Sequence, residues 1–279
     1  MSAAVGSVEA WSGKDHGDEN LPVGSGLIAR RLRPHVHAFY SFARNADDIA
    51  DSATLSGEAK IARLDAMEEV LLGRRESGSP SAARLRASLA ETGVTAQHSR
   101  DLLTAFRRDA TQLRYADWDD LLDYCRYSAM PVGRHVLDLH GEARDTWPAS
   151  DALCAALQVE NHLQDCARDL AALDRCYLPG DLLAAHGAAV ADLTARASSA
   201  GLRRVLDALL DRCDDLNRTA ADLPHRTRDR RLRLETAVIV GLSRRLARRL
   251  RRGDPLAARV RLRKSDALAS ILAALRFLP

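Results

Sequence analysis

The stretch FARNADDIAD, residues 42–51, places three aspartates at the end of an aromatic and alanine-rich run. Residues four apart share a face of a helix, so Asp47 and Asp51 lie in one row with Phe39 and Ala43. The two acids therefore continue a stripe that the preceding residues predict to be buried. Two carboxylates about 6 Å apart along a helix axis repel each other. Burying them costs several kcal/mol unless a cation compensates their charge.

A second stretch, LQVENHLQDCARDL at residues 157–170, repeats this pattern. Its row of Leu157, Asn161, Asp165 and Asp169 again runs from apolar to acidic on one helix face. If two such helices face each other, they offer hard oxygen ligands with room for water, which suits Mg²⁺. Carboxylates that hold Mg²⁺ in turn suit a diphosphate that is lost as a leaving group.

Two other interpretations of the acidic rows stay open at this point. Arg44 lies one turn before Asp48 and could pair with it, so both rows could be solvated faces held by salt bridges. A di-iron helix bundle is the other alternative. It calls for Glu-x-x-His pairs, and neither stretch contains one.

The composition, together with the positions of helix-capping and helix-breaking residues, predicts an all-α protein. Of the 279 residues, 46% are hydrophobic and only 4% are aromatic, and the apolar residues are mostly Ala and Leu, which favour helix. Helix starts are predicted at Ser79-Pro80, at Asp117 and at Trp147-Pro148, and a stop at Gly253. Pro131 and Gly133 should interrupt the helix that follows Asp117. We expect a single domain of about ten helices.

Charge and cysteine usage exclude several classes. The net charge is only +3, from 41 basic and 38 acidic residues, so we expect no nucleic-acid partner. Five cysteines without a CxxC pair suit a reducing cytoplasm. There is no signal-peptide pattern and no apolar run of membrane-spanning length. The G-x-G-x-x-A letters at residues 24–29 lack the preceding strand that a dinucleotide site requires.

The arginine-rich segment at residues 244–252 is amphipathic. Leu242, Leu246 and Leu250 form one stripe, and arginines cover much of the rest. The segment is typical of a solvated helix that packs by its leucines. It also allows attraction to anionic lipid headgroups, hence peripheral association with the inner face of the membrane.

The sequence resembles the squalene/phytoene synthase family. The matching pieces are FYSFARNADDIAD (residues 39–51), RYADWDDLLDYCRYSAMPVGR (residues 114–134) and QVENHLQDCARDLAALDRCYLP (residues 158–179), with weaker similarity over nearly everything from Asn20 onward. The resemblance implies an all-α isoprenoid synthase fold with a central active-site cavity. It also implies a catalytic domain at residues 20–279 and Mg²⁺-assisted ionisation of a prenyl diphosphate. Residues 1–19 are polar and rich in glycine, so we expect a flexible segment there.

The resemblance assigns roles to particular residues. The implied metal ligands are Asp47, Asp51, Asn161, Asp165 and Asp169. The four aspartates among them are also the implied catalytic residues. The implied contacts to the substrate or its diphosphate are Ser25, Tyr40, Arg44 and Gln158. Gln164 departs from the family pattern, because phytoene and dehydrosqualene synthases carry Arg at this position. The absence of that cation should weaken the binding of one diphosphate group. We place Gln164 with the diphosphate-binding residues.

Gln164 and the SAMPVGR segment bring the sequence nearest to the bacterial hydroxysqualene synthases of squalene and hopanoid biosynthesis. The expected reaction is Mg²⁺-dependent conversion of presqualene diphosphate to hydroxysqualene, whose product would pass to a squalene-forming oxidoreductase. The alternative within the family is head-to-head condensation of two farnesyl diphosphates. The alternative outside enzymes is a binding partner for prenyl lipids.

Overall fold

Helices form the regular secondary structure throughout the part of the chain that the structure, a computed structural model, describes. That part comprises residues 7–9 and 28–278, and no strand occurs within it. Most of the predicted flexible segment at residues 1–19 lies outside the described residues, and so does Ser25. The predicted all-α class is confirmed.

Twelve α-helices follow one another in the described residues. They are α1 (Arg33–Ala50), α2 (Gly57–Leu71), α3 (Pro80–Thr92), α4 (Gln97–Asp109), α5 (Trp118–Ser128), α6 (Met130–Leu139), α7 (Trp147–Leu173), α8 (Gly180–Ala185), α9 (Ala200–Ala220), α10 (Leu223–Arg226), α11 (Arg230–Arg252) and α12 (Lys264–Ala274). Short 3₁₀ helices occupy Arg144–Thr146, Val190–Thr194 and Leu275–Phe277. Within residues 28–278, no helix combines the length and the hydrophobicity of a membrane-spanning segment.

The predicted helix boundaries are confirmed, and side-chain caps account for two of them. The Ser79 hydroxyl accepts a hydrogen bond from the Ala82 amide at the start of α3, and the Asp117 carboxylate accepts one from the Asp120 amide at the start of α5. The predicted interruption of the helix after Asp117 is present, but it falls at Ala129, between α5 and α6, and Pro131 and Gly133 lie within the first turn of α6. Gly253 follows the last residue of α11.

The chain divides into two compact units. The first comprises Met1–Gln112 and Arg134–Gly141, and the second comprises Leu113–Gly133 and Glu142–Pro279. The acidic row at the end of α1 therefore belongs to the first unit, and the acidic row of α7 belongs to the second. Whether residues 20–279 act as one catalytic domain stays a prediction.

In the first unit, α1 packs against α2, α3 and α4. Phe42, Ala46 and Ile49 of α1 are fully buried, together with Leu64 of α2 and Leu85 of α3. This apolar face fixes the rotation of α1, and with it the direction in which the carboxyl-terminal acids project.

In the second unit, the 27-residue helix α7 packs along α9 and α11. Leu206 and Leu210 of α9 are buried, and so are Leu246 and Leu250 of α11. The leucine stripe of the arginine-rich helix thus packs in the interior, as predicted for a solvated amphipathic helix.

Candidate active site

The first acidic cluster lies at the carboxyl end of α1. Asp47 and Asp48 lie on the last turn, and the backbone N–H of Asp51, the residue after the helix, donates to the Asp47 carbonyl oxygen over 2.8 Å. Arg44 lies 2.9 Å from a carboxylate oxygen of Asp47 and 2.9 Å from one of Asp48. The ion pair between Arg44 and Asp48 that the sequence spacing allows is therefore present, and the same guanidinium also contacts Asp47.

Asp47 carries a strongly perturbed carboxyl group. About a third of its side chain is accessible, 35%, yet the surrounding protein is dense enough that burial raises the pKa of Asp47 to about 8. The negative charge of Asp51 adds to this rise and the positive charge of Arg44 opposes it, while Asp109 and Asp48 contribute smaller increases. The charge of Arg44 does not cancel the effect of burial and of Asp51 on Asp47, so a cation bound beside Asp47 would stabilise its charged form.

The second acidic cluster lies in the carboxyl-terminal half of α7. Asp165 and Asp169 lie one turn apart, and each side chain is 15% accessible. Arg168 reaches both, with its guanidinium 2.8 Å from Asp165 and 3.4 Å from Asp169, but its own side chain is 61% exposed. Asn161 is half-buried one turn before Asp165. The predicted row of oxygen donors is therefore present on α7.

The two glutamines of α7 are held by different partners. The Gln158 amide nitrogen lies 3.1 Å from Nε2 of His162, one turn later. The Gln164 amide nitrogen donates to the carbonyl oxygen of Val260 over 2.7 Å, and the Gln164 side chain is buried. Gln164 is thereby fixed in the packing of the second unit, and its predicted diphosphate contact stays a prediction.

An aromatic group surrounds His162. Its ring stacks on Tyr177 with centroids 3.5 Å apart, and Tyr124 lies 6.1 Å away by the same measure. Burial lowers the pKa of His162 to about 3, and the positive charge of Arg175 adds to the effect. His162 is therefore neutral at physiological pH and presents Gln158 with an uncharged ring nitrogen.

Sequence reasoning missed a buried polar network that holds α7 in place. Glu160, next to Asn161, accepts a hydrogen bond from the Asn217 amide at 3.2 Å, and the Ser243 hydroxyl lies 2.9 Å from the same oxygen. Burial raises the pKa of Glu160 well above its usual range. Asn217 belongs to α9 and Ser243 to α11, so nothing local in the sequence of α7 indicates either contact. The network fixes the rotation of the helix that carries the second cluster.

The donor set of each cluster fits Mg²⁺. Within the described residues, no group of three or more His, Cys, Asp or Glu side chains is arranged to hold a metal ion by itself. Mg²⁺ in proteins is bound through one or two carboxylates, with waters and substrate phosphates completing its octahedron. Asp47 and Asp51 provide such a pair, and Asp165 with Asn161 or Asp169 provides another. The crowded carboxylates around Asp47 supply the negative charge that a divalent cation requires.

Comparisons with known proteins agree with these features. The family model described as squalene/phytoene synthase matches residues 14–266. The hydroxysqualene synthase of Rhodopseudomonas palustris is 51% identical over 255 residues, covering 91% of this chain and 87% of that protein. The hydroxysqualene synthase of Sinorhizobium fredii is 47% identical over 247 residues, covering 88% of this chain and 84% of that protein.

A solved structure extends the agreement to the fold. The crystal structure of squalene synthase HpnC from Alicyclobacillus acidocaldarius is similar to this chain with a TM-score of 0.73 and 35% identity, over 82% of this chain and 87% of that one. The family resemblance inferred from the acidic motifs is thus confirmed, as is the predicted fold. This chain belongs to the squalene/phytoene synthase family and is an all-α enzyme of the isoprenoid synthase fold.

Proposed function

We propose that this enzyme converts presqualene diphosphate to hydroxysqualene in a Mg²⁺-dependent reaction of squalene and hopanoid biosynthesis. The observation that carries the proposal is the similarity to two proteins named hydroxysqualene synthase, at 51% and 47% identity over most of both chains. The oxygen donors on α1 and α7 supply the chemistry that such a reaction needs.

Asp47 and Asp51 would hold Mg²⁺ in the first unit, and Asn161, Asp165 and Asp169 would hold it in the second. When bound, Mg²⁺ supplies positive charge that stabilises the departing diphosphate. The arginines are placed to help, because Arg44 and Arg168 each lie beside two of the acids. A cation that takes over the charge of Asp47 would free the guanidinium of Arg44 to donate to a diphosphate oxygen.

Three fates are open to the carbocation left after ionisation. Elimination needs a well-placed base, and hydride capture needs a nicotinamide cofactor, for which the sequence offers no supported binding motif. Capture by water needs one ordered molecule beside the cation. Asn161 and Gln164 are the neutral side chains that we assign to this task, since an amide orients water without acting as a strong base. The anchoring of Gln164 to the Val260 carbonyl supports this assignment, because it restricts the orientation of the amide.

The substrate test uses two parallel incubations, one with farnesyl diphosphate and one with presqualene diphosphate. Both contain Mg²⁺ and no nicotinamide. Neutral lipid products are identified by gas chromatography and mass spectrometry, and diphosphate products by liquid chromatography and mass spectrometry. We expect hydroxysqualene from presqualene diphosphate and no product of comparable yield from farnesyl diphosphate. Squalene or dehydrosqualene as the main product would overturn the proposed branch.

Condensation of two farnesyl diphosphates is the second candidate. It is supported by the solved relative from Alicyclobacillus acidocaldarius, which carries the name squalene synthase. In the same experiment, this candidate predicts presqualene diphosphate or dehydrosqualene from farnesyl diphosphate alone. A protein that only binds prenyl lipids would give no product in either incubation. If hydroxysqualene is the product, its consumer is an oxidoreductase that reduces the allylic alcohol to squalene.

A further inference from the structure

The orientation of α12 is the reverse of what is usual for a surface helix. Such helices bury their apolar side and expose their polar side. α12 and the residue that follows it instead expose large apolar side chains. Their accessibilities are 59%, 48%, 58% and 48%, for Leu268, Ile271 and Leu272 of α12 and for Leu275 at the start of the 3₁₀ helix. Their spacing of three, one and three residues places them on one face. Leu278, 49% exposed, follows after the short 3₁₀ helix.

The opposite face of α12 is polar or small, and it is the face that packs on α11. Asp266, Ser270 and Ala274 are buried there. Nε of Arg249 donates to the Asp266 carboxylate over 2.6 Å, and Nε of Arg245 donates to the Ser270 hydroxyl over 3.1 Å. These contacts hold α12 with its apolar face outward. The exposure is therefore built into the docking of the helix.

Cationic residues precede and follow the exposed face along the chain. From residue 259 onward the sequence contains five cationic residues and one acid. The acid is Asp266, which Arg249 neutralises. Among the described residues, none of the five cations forms an ion pair, and all five are exposed: Arg259, Arg261, Arg263, Lys264 and Arg276. Lys264 lies one turn before Leu268, and Arg276 lies four residues after Leu272, so a cation flanks the apolar face at each end.

We infer that α12 docks on the surface of an anionic lipid bilayer. An apolar helix face rimmed by Lys and Arg is the recognised form of a helix that lies in the membrane interface. The 11 residues of α12 span only about 16 Å, half of a hydrocarbon core, so the helix lies on the bilayer. A second copy fits this face poorly, because a two-fold contact would bring together the cations that rim both faces.

The arginine-rich helix α11, considered from the sequence as a lipid-attracting element, is a weaker candidate than α12. Its leucines are buried, and Arg249 and Arg251 pair with acids of the same unit, Asp266, Asp211 and Asp214. Arg248 and Arg252 are exposed, but α11 has no exposed large apolar side chain beside them that could enter the membrane interface. Docking through α12 is also independent of the reaction proposed above, so either proposal can fail while the other stands.

The test is flotation of the purified full chain with vesicles of phosphatidylcholine alone or mixed with phosphatidylglycerol. We expect the chain to float with the anionic vesicles and to be released by added salt. The Leu268→Gln/Leu272→Gln variant should lower the partition coefficient about tenfold or more, because it removes apolar groups from the interface. The Lys264→Gln/Arg276→Gln variant should lower it about fivefold per cation on anionic vesicles and leave binding to neutral ones unchanged.

Matched controls separate docking through α12 from general effects. The Arg248→Gln/Arg252→Gln variant removes the same charge from α11 and should float like the wild type. Leu268→Ile/Leu272→Ile should retain binding, and circular dichroism checks the fold of every variant. Light scattering in vesicle-free solution should give the same mass for the wild type and for Leu268→Gln/Leu272→Gln.

Three outcomes would overturn the inference. One is a wild-type chain that does not float with anionic vesicles. Another is equal loss of binding in the α11 and α12 charge variants. The third is a wild-type dimer that the glutamine variant dissociates, since a second copy would then cover the apolar face of α12.

Discussion

The acidic cluster of α1 and that of α7 share one sequence pattern but lie in different surroundings. In each, one arginine reaches two aspartates on its own helix. The side chain of Arg44 is 18% exposed and that of Arg168 is 61% exposed. Local spacing thus sets which groups meet, whereas tertiary packing sets how strongly they interact. We therefore expect the two clusters to contribute alike to catalysis and unequally to stability.

The largest effect is expected from removing the metal, which both clusters are proposed to bind. A chelator should abolish turnover of presqualene diphosphate, because nothing then neutralises the leaving diphosphate, and excess Mg²⁺ should restore it. Turnover is followed by diphosphate release. Full activity in chelator would remove the reason for assigning a shared catalytic role to the two clusters.

Neutralising one acid of each cluster should reduce turnover about a thousandfold. The variants are Asp47→Asn and Asp165→Asn, with Asp48→Asn as the matched control, for which we expect a loss below about tenfold. The melting temperature of the metal-free protein should rise in Asp47→Asn, because burial and the neighbouring Asp51 disfavour a charged carboxylate there. In Asp165→Asn it should change little, because that acid pairs with an exposed arginine.

The comparison fails in two identifiable ways. If both asparagine variants turn over normally, the metal-site assignment is wrong. If they lose activity as expected but show equal shifts in melting temperature, the catalytic assignment stands and the difference in surroundings has no energetic consequence.

Removing the arginines should separate the clusters by stability. Arg44→Ala should lower the free energy of unfolding by about 2–4 kcal/mol, because it takes a largely buried cation from Asp48, whose side chain is only 7% exposed. Arg168→Ala should cost less than about 1 kcal/mol, since the guanidinium side of its two pairs is 61% exposed and water can replace it there. Urea unfolding of both variants measures the difference. Equal losses would contradict it.

A smaller effect is expected from the close packing that supports α7. A Cβ atom on Gly133 of α6 would meet the Ser150 hydroxyl and lie 2.7 Å from the sulfur of Cys154, both on α7. Gly133→Ala should therefore cost about 1–3 kcal/mol. Adding Ser150→Ala should recover part of that loss, as measured by thermal unfolding. If Gly133→Ala is as stable as the wild type, α6 and α7 are not packed too closely for a Cβ atom at residue 133, and the packing argument is wrong.

The sequence predicts best what depends on neighbours along the chain. The start of α3 at Ser79-Pro80, the end of α11 at Gly253 and the pairing of Arg44 with Asp48 all follow from local spacing. The family assignment follows from motifs of the same kind. These features need no knowledge of distant parts of the chain.

What the sequence did not predict depends on residues far apart. Gln164 bonds to Val260, 96 residues later, and Glu160 bonds to Asn217, 57 residues later. The reversed orientation of α12 arises because Arg245 and Arg249 of α11 bind its polar face. Periodicity identifies an apolar stripe, but only the partner helix decides whether that stripe is buried.

The most direct test of the proposed reaction is to run it in ¹⁸O-labelled water. Presqualene diphosphate, Mg²⁺ and the enzyme are incubated without nicotinamide, and the product is analysed by mass spectrometry. Capture of the carbocation by solvent predicts hydroxysqualene that carries the label in its hydroxyl group. An unlabelled alcohol, or dehydrosqualene as the main product, would contradict water capture.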